Sequence, residues 1–311
     1  MGKIAFVFPG QGAQAVGMGK DAYDASPAAR AIFERADRAL GFELSRIIFE
    51  GPEEALKLTV NTQPALLTVS AALLELIRDR VKPDYVAGHS LGEYSALVAS
   101  GVLAFEDAVR AVRRRGEFME EAVPAGKGAM AAVLGADREA LAKLCEAISA
   151  EKGLVVLANV NCPGQIVVSG TAEGVRAVAE RGREAGAKRV IPLEVSGPFH
   201  SPLMEPAAER LGEVLDALEM RDAEVPVIAN VTAEPVTSAA EIRRLLKEQV
   251  TAPVLWEDTV RRLTALGVDT FVEIGSGSVL TGLIRKTAGS VAIHTVNSLA
   301  ALDAALAALA P

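Results

Sequence analysis

Asp84-Tyr-Val-Ala-Gly-His-Ser-Leu-Gly-Glu-Tyr-Ser-Ala-Leu-Val-Ala-Ser100 contains a strand, a sharp turn and a helix in immediate succession. Residues 84–89 form a short apolar run of strand length, and 91–100 carry helical spacing. Between them stands Gly88-His89-Ser90-Leu91-Gly92, a G-x-S-x-G. In that context it reads as a nucleophile elbow: the glycines permit a strained turn that lifts the Ser90 hydroxyl off the strand end. The helix that follows points its free N–H groups and positive end at any oxyanion formed there.

Working outward, the chain keeps alternating strand and helix. Ile4–Phe8 is a buried strand ending at Gly10-Gln11-Gly12. A helix is expected from Thr62, as its cap, with Pro64 in the first turn, running to Leu76. Glu106–Val123 reads as a long amphipathic helix, and Val225–Asn230, Thr270–Gly275 and Val291–Asn297 as later strands, each with a helical stretch after it. Continuous apolar strands alternating with helices imply an α/β fold with a parallel sheet covered on both faces. Ser298 to Pro311 reads as a terminal helix.

Residues 125–196 follow a different order. Gly128–Leu134, Leu154–Val160, Gln165–Ser169 and Arg189–Val195 are strand-like, with helices over Arg138–Ala150 and Thr171–Ala185. That β-α-β-β-α-β order is ferredoxin-like. Chain breaks at Pro124-Ala-Gly126 and Gly197-Pro198 bracket it as a small subdomain inserted between 1–124 and 197–311.

Length and composition agree with two packed units: 311 residues, half of them hydrophobic and 23% charged. With 32 Lys and Arg against 40 Asp and Glu, the net charge of −8 speaks against nucleic-acid binding. No apolar run is expected to reach the roughly 18 to 20 residues of a membrane helix, and Ile4–Pro9 is too short for a signal-peptide core. Cys145 and Cys162 show neither metal spacing nor a disulfide framework, as expected in the cytoplasm.

A nucleophilic serine needs a base, and the chain has three histidines. His89 adjoins Ser90 on the strand and should point away from it; His294 sits in a late apolar strand as a structural residue. His200, in the loop after Ser196-Gly-Pro-Phe199, is left as the base. Its orienter stays open among Glu194, Asn230 and Gln249, since a carbonyl can hold an imidazole N–H as well as an acid can. The Gly10–Gln14 turn only partly imitates a dinucleotide fingerprint and reads better as a source of oxyanion-hole N–H groups. Of Arg113, Arg114 and Arg115, one turned inward would make a clamp for an acidic substrate.

Six strings then show what the chain resembles: GQGAQ at 10–14, TQPAL at 62–66, GHSLGEYSALVASG at 88–101, RRGEFMEEAVPAGKGAMAAVLG at 114–135, NVNCPGQIVVSG at 159–170 and SGPFHSPLM at 196–204. Together they resemble the malonyl-CoA:acyl-carrier-protein transacylase family of fatty-acid synthesis, in order and over the whole chain. The resemblance implies an α/β-hydrolase-like core carrying the ferredoxin-like insertion. It implies malonyl transfer from malonyl-CoA to acyl carrier protein through a malonyl-serine on Ser90, with His200 as base and then acid. Backbone N–H groups of Gln11 and Leu91 would form the oxyanion hole, and Arg115 would bind the free malonyl carboxylate. The Gln249 main-chain carbonyl would orient His200, and Asn159 and Asn161 would line the gorge. No metal or separate cofactor is expected, nor any nucleic-acid or membrane partner, and the chain is expected to be a cytoplasmic monomer. For an acidic carrier protein, Lys188, Arg189, Arg285 and Lys286 are the candidate docking residues. The rival readings are a serine esterase or thioesterase, an acyltransferase for another carboxyacyl-CoA, and a non-catalytic docking subunit.

Overall fold

In a computed structural model, which describes residues 2–309, the apolar run Lys3–Phe8 forms β1 with its last four residues buried. The later strands are β2 (Tyr85–Gly88), β3 (Gly128–Leu134), β4 (Val155–Cys162), β5 (Gln165–Thr171), β6 (Arg189–Pro192), β7 (Val227–Ile228), β8 (Pro235–Val236), β9 (Val254–Leu255), β10 (Val268–Ile274) and β11 (Ala292–Val296). They make an α/β fold of two sheets. The first runs β11-β10-β1-β2-β7-β8 and the second β6-β3-β5-β4-β9.

The first sheet departs from the expected all-parallel form. Its pairs are parallel through β7, but β8 returns antiparallel to it, so the sheet is mixed. β2 lies between β1 and β7, with its Gly88 end beside Phe8. The Ser90 turn is thereby held at the strands' carboxyl ends, where open α/β sheets gather their ligands. In the second sheet β3, β4, β5 and β6 pair antiparallel, packed against the helices Arg138–Glu151 and Ala172–Arg181. Its fifth strand comes from elsewhere: β9, far outside 125–196, adds to β4 in parallel, Asn159 opposite Val254.

Two further expectations need correction. The long core helix is Thr59–Ile77, starting three residues before Thr62. Thr62 does not cap it; its buried hydroxyl donates to the Leu56 carbonyl. Pro64 therefore sits inside the helix, where its missing N–H frees the Val60 carbonyl. Arg113 Nη1 fills that vacancy at 3.0 Å from the neighbouring helix Phe105–Glu121. The Thr59–Ile77 helix is also long and apolar enough to cross a membrane by length and composition, unlike the expectation above, but 83% of its apolar window is buried within the protein. It is a core helix. The terminal helix covers Leu299–Leu309, and residues 310 and 311 lie outside those described.

Candidate active site

The elbow is made by contacts too close for side chains. A Cβ on Gly88 would stand 1.8 Å from the Gly92 carbonyl oxygen, and one on Gly92 would stand 2.1 Å from that of Phe8. Ser90 itself is held at φ 53°, and His200 at φ 55°. Strained non-glycine backbone of this kind persists only where the surroundings enforce it. At Ser90 they do: Asn230 Oδ1 accepts from the Ser90 amide at 2.8 Å, and Asn230 Nδ2 donates to the Gly88 carbonyl at 2.6 Å. One buried side chain thus ties both sides of the turn.

Ser90 and His200 meet across the cavity floor, Oγ to Nε2 at 2.7 Å. The other ring nitrogen, Nδ1, lies 2.9 Å from the Gln249 main-chain oxygen. A carbonyl only accepts, so Nδ1 carries the proton and Nε2 offers its lone pair to the Ser90 hydroxyl. Burial, and then the Arg115 charge, push the His200 pKa down to about 3, so the ring is neutral at neutral pH. Of the three candidate orienters only Gln249 reaches His200. Glu194 is exposed at the cavity wall, and Asn230 serves the elbow.

Arg115 is 1% exposed. It reaches the site because Gly116 lets its helix approach the Thr59–Ile77 helix; a Cβ there would stand 2.9 Å from the Thr59 oxygen. Nη1 donates to Gln63 Oε1 at 2.6 Å, and Nη2 donates to Gln249 Oε1 at 3.0 Å and to Ser90 Oγ at 3.2 Å. Among the described residues no carboxylate pairs with it, and its Nε has no partner. Arg113 and Arg114, by contrast, pair with Glu117.

A cavity of about 480 Å³ opens above these groups. Gln11, Leu91, Asn159 and Asn161 all line it. Gln11 Nε2 donates to Thr59 Oγ1 at 3.1 Å, and Asn161 Oδ1 lies 2.8 Å from His89 Nε2. His89 thus turns away from Ser90 toward β4, with its ring 5.7 Å from that of Trp256. His294 stands on β11, the far edge of the first sheet. Lys188 and Arg189 are exposed at the start of β6. Arg285 and Lys286 are exposed on the last turn of the helix Val279–Thr287, whose Val279, Leu280 and Leu283 line the cavity. No cluster of three or more His, Cys, Asp or Glu side chains suited to a metal occurs among the described residues.

Sequence reasoning missed three participants. Gln63 is an amide buried in an apolar helix, and that mismatch was its only signal. Asn230 was read as a rival partner of His200, not as the brace of the elbow. Glu93 follows Gly92 directly; it is 3% exposed, and burial raises its carboxyl pKa to about 7.

An activated serine, a neutral histidine held by a carbonyl, and a buried arginine beside the hydroxyl define an acyl-transfer centre. The chain belongs to the acyl transferase domain family, whose model matches residues 5–311. It is 59% identical over 287 residues to the malonyl CoA-acyl carrier protein transacylase of Bacillus subtilis, covering 92% of this chain and 90% of that protein. The crystal structure of the acyl-carrier-protein-S-malonyltransferase of Bartonella henselae superposes with a TM-score of 0.96 at 44% identity, over 99% of this chain and 100% of the other. A malonyl-transacylase solved in complex with a type II PKS acyl-carrier protein matches with a TM-score of 0.95 at 42% identity, over 98% and 99% of the two chains.

Proposed function

We propose that this protein transfers the malonyl group from malonyl-CoA to the phosphopantetheine thiol of acyl carrier protein, in fatty-acid synthesis. The observation that carries the reading is the Arg115 guanidinium, buried with no carboxylate in direct contact among the described residues and 3.2 Å from Ser90 Oγ. A buried unpaired cation is costly, and an acyl group that brings its own carboxylate relieves the cost. Simple esterases have no need of such a residue.

In this mechanism Ser90 Oγ attacks the thioester carbonyl while its proton passes to His200 Nε2. The tetrahedral oxyanion is held by the backbone N–H groups of Gln11 and Leu91, which meet no protein partner among the described residues. Collapse breaks the C–S bond, and His200 returns the proton to the departing coenzyme A thiolate. The carrier thiol then gives its proton to His200, attacks the malonyl-serine ester and takes the acyl group, and Ser90 regains its proton. The Gln249 carbonyl holds the imidazole orientation throughout. Asn159 and Asn161 contact the acyl thioester from β4, and Lys188, Arg189, Arg285 and Lys286 receive the acidic carrier.

The same reading treats 1–124 and 197–311 as an α/β-hydrolase-like catalytic subdomain and 125–196 as a ferredoxin-like one, which the β6-β3-β5-β4 order supports. It requires no metal or cofactor beyond the substrates' own phosphopantetheine, and places a monomeric enzyme in the cytoplasm. Mass spectrometry after mixing with malonyl-CoA tests it: a malonyl adduct on Ser90 that carrier protein discharges is expected. Free malonate with no trapped adduct would point to a hydrolase instead.

A further inference from the structure

Behind the nucleophile lies an acid that the mechanism above does not use. Glu93 sits in the first turn of the helix Gly92–Ala99, buried, and not among the cavity-lining residues. Among the described residues no lysine or arginine forms an ion pair with it; its Oε2 accepts from Gln249 Nε2 at 2.8 Å and from the Asn230 amide at 3.3 Å. A buried carboxyl whose nearest cation, Arg115, acts on it only across Gln249 is expensive, so its contacts call for a purpose.

The purpose lies in Gln249. A terminal amide has two orientations that exchange its oxygen and nitrogen. Arginine carries only donors, so the Gln249 Oε1 must face Arg115, as it does at 3.0 Å. Gln249 Nε2 then faces three oxygens: Glu93 Oε2 at 2.8 Å, the Ser90 carbonyl at 3.0 Å and Asn230 Oδ1 at 3.2 Å. The reverse orientation would set NH2 against a guanidinium and a carbonyl against three acceptors. Glu93 makes the shortest of these contacts, and its Oε2 is the only carboxylate oxygen among the three acceptors.

We infer that Glu93 is a positioning residue for acyl transfer, holding the Gln249 amide so that its Oε1 fixes the Arg115 guanidinium beside Ser90 Oγ. The inference rests on the transfer of a carboxylate-bearing acyl group proposed above. The role needs an acceptor at Oε2 and not a negative charge, since a neutral carboxyl or amide presents the same oxygen to Gln249.

Glu93→Met keeps the volume and removes the acceptor; Glu93→Gln keeps the acceptor. The readout is the malonyl-to-acetyl ratio of kcat/KM, alongside the melting temperature and the rate of Ser90 labelling by a fluorophosphonate. Glu93→Met should lower the ratio by about tenfold or more, the size of one hydrogen bond to a charged group. Glu93→Gln should stay within about threefold of the parent, and labelling, which does not involve Arg115 recognition of a carboxylate, should fall less than malonyl transfer. An unchanged ratio in Glu93→Met, or an equal fall in Glu93→Gln, overturns the inference. If Glu93→Met does not fold, Gln249→Leu takes its place: it retains the main-chain carbonyl and should lower the ratio alike, and an unchanged ratio there is equally fatal. A parent enzyme with no malonyl preference would instead refute the function on which the inference stands.

Discussion

Replacing Arg115 by alanine should separate recognition of the malonyl carboxylate, the role proposed for this residue, from the chemistry at Ser90. Malonyl and acetyl thioesters differ by one terminal carboxylate, so only a group that reads that charge can tell them apart. A charge-assisted hydrogen bond of this kind contributes about 1.5–3 kcal/mol. At 1% exposure Arg115 is scarcely screened by solvent, which places it in the upper half of that range. At about 1.4 kcal/mol per decade, the malonyl-to-acetyl ratio of kcat/KM should fall by roughly two decades. Absolute rates are a poorer measure, because the mutation also strips a donor from Gln63 Oε1 and Gln249 Oε1 whatever the substrate. The acetyl rate should nevertheless hold or rise, since the Arg115 charge is one of the causes that depress the basicity of His200. The assay is steady-state transfer from each acyl-CoA to carrier protein, parent and variant side by side. If both substrates lose the same factor, Arg115 supports the fold of the site and does not read the carboxylate.

Other consequences can be checked separately. Ser90→Ala should give no acyl-enzyme by mass spectrometry, and His200→Ala should slow acylation by about three orders of magnitude or more. The His200 pKa is depressed from its ordinary 6.5 to about 3, so between those values the unfolded chain binds more protons at this site; the His200 contribution to stability should fall as pH drops below 6.5, opposite in sign to that of Glu93, and urea melts of His200→Gln should lose less stability from pH 7 to 5 than the parent's. Asn230→Ala removes both ties on the elbow and leaves the Gly88 oxygen and Ser90 amide unpaired, at about 1–3 kcal/mol each; calorimetry should register the loss, and an unaltered melting temperature with full activity would contradict the bracing role. Reversing the charges of Lys188 with Arg189, and of Arg285 with Lys286, should raise KM for carrier protein and spare self-acylation; equal loss of both half-reactions would argue against docking there.

What the sequence made legible follows the range of the forces involved. The elbow's sequence is local, two glycines four residues apart around Ser90, and so its turn could be read directly, although one of them, Gly92, makes room for the Phe8 carbonyl of a distant strand. His200 could be reached by elimination because histidines are few. The contact from Gln249 is a main-chain carbonyl, a group every residue carries, so no side-chain pattern advertises it. Glu93 looks like any acid in a first helical turn, where the helix dipole favours one; only burial distinguishes it. The start of the long helix was misplaced because Thr62 and Pro64 satisfy the local rules for a terminus. What overrides them is Arg113, some fifty residues away, covering the carbonyl that Pro64 frees. β7 lies within the strand-like run Val225–Asn230, whereas β8 and β9, with two residues each, are too short for any periodicity to reveal.

The last of these has a bearing on how such proteins diversify. β9 belongs in sequence to the catalytic portion yet hydrogen-bonds to β4, and the Leu255 amide within it donates to the Asn230 oxygen at 3.0 Å. Gln249, which serves both His200 and Arg115, lies only five residues upstream of it. Two residues of strand therefore rivet the gorge wall that carries Asn159 to the loop that aims the base. A chimera exchanging 125–196 alone with a relative would inherit a foreign edge against its own rivet, and the mismatch would be felt at the imidazole before it was felt in the melting curve. Exchange of 125–196 together with 250–256 would keep the wall and the base in register, making that pair of segments the natural unit for recombination between relatives.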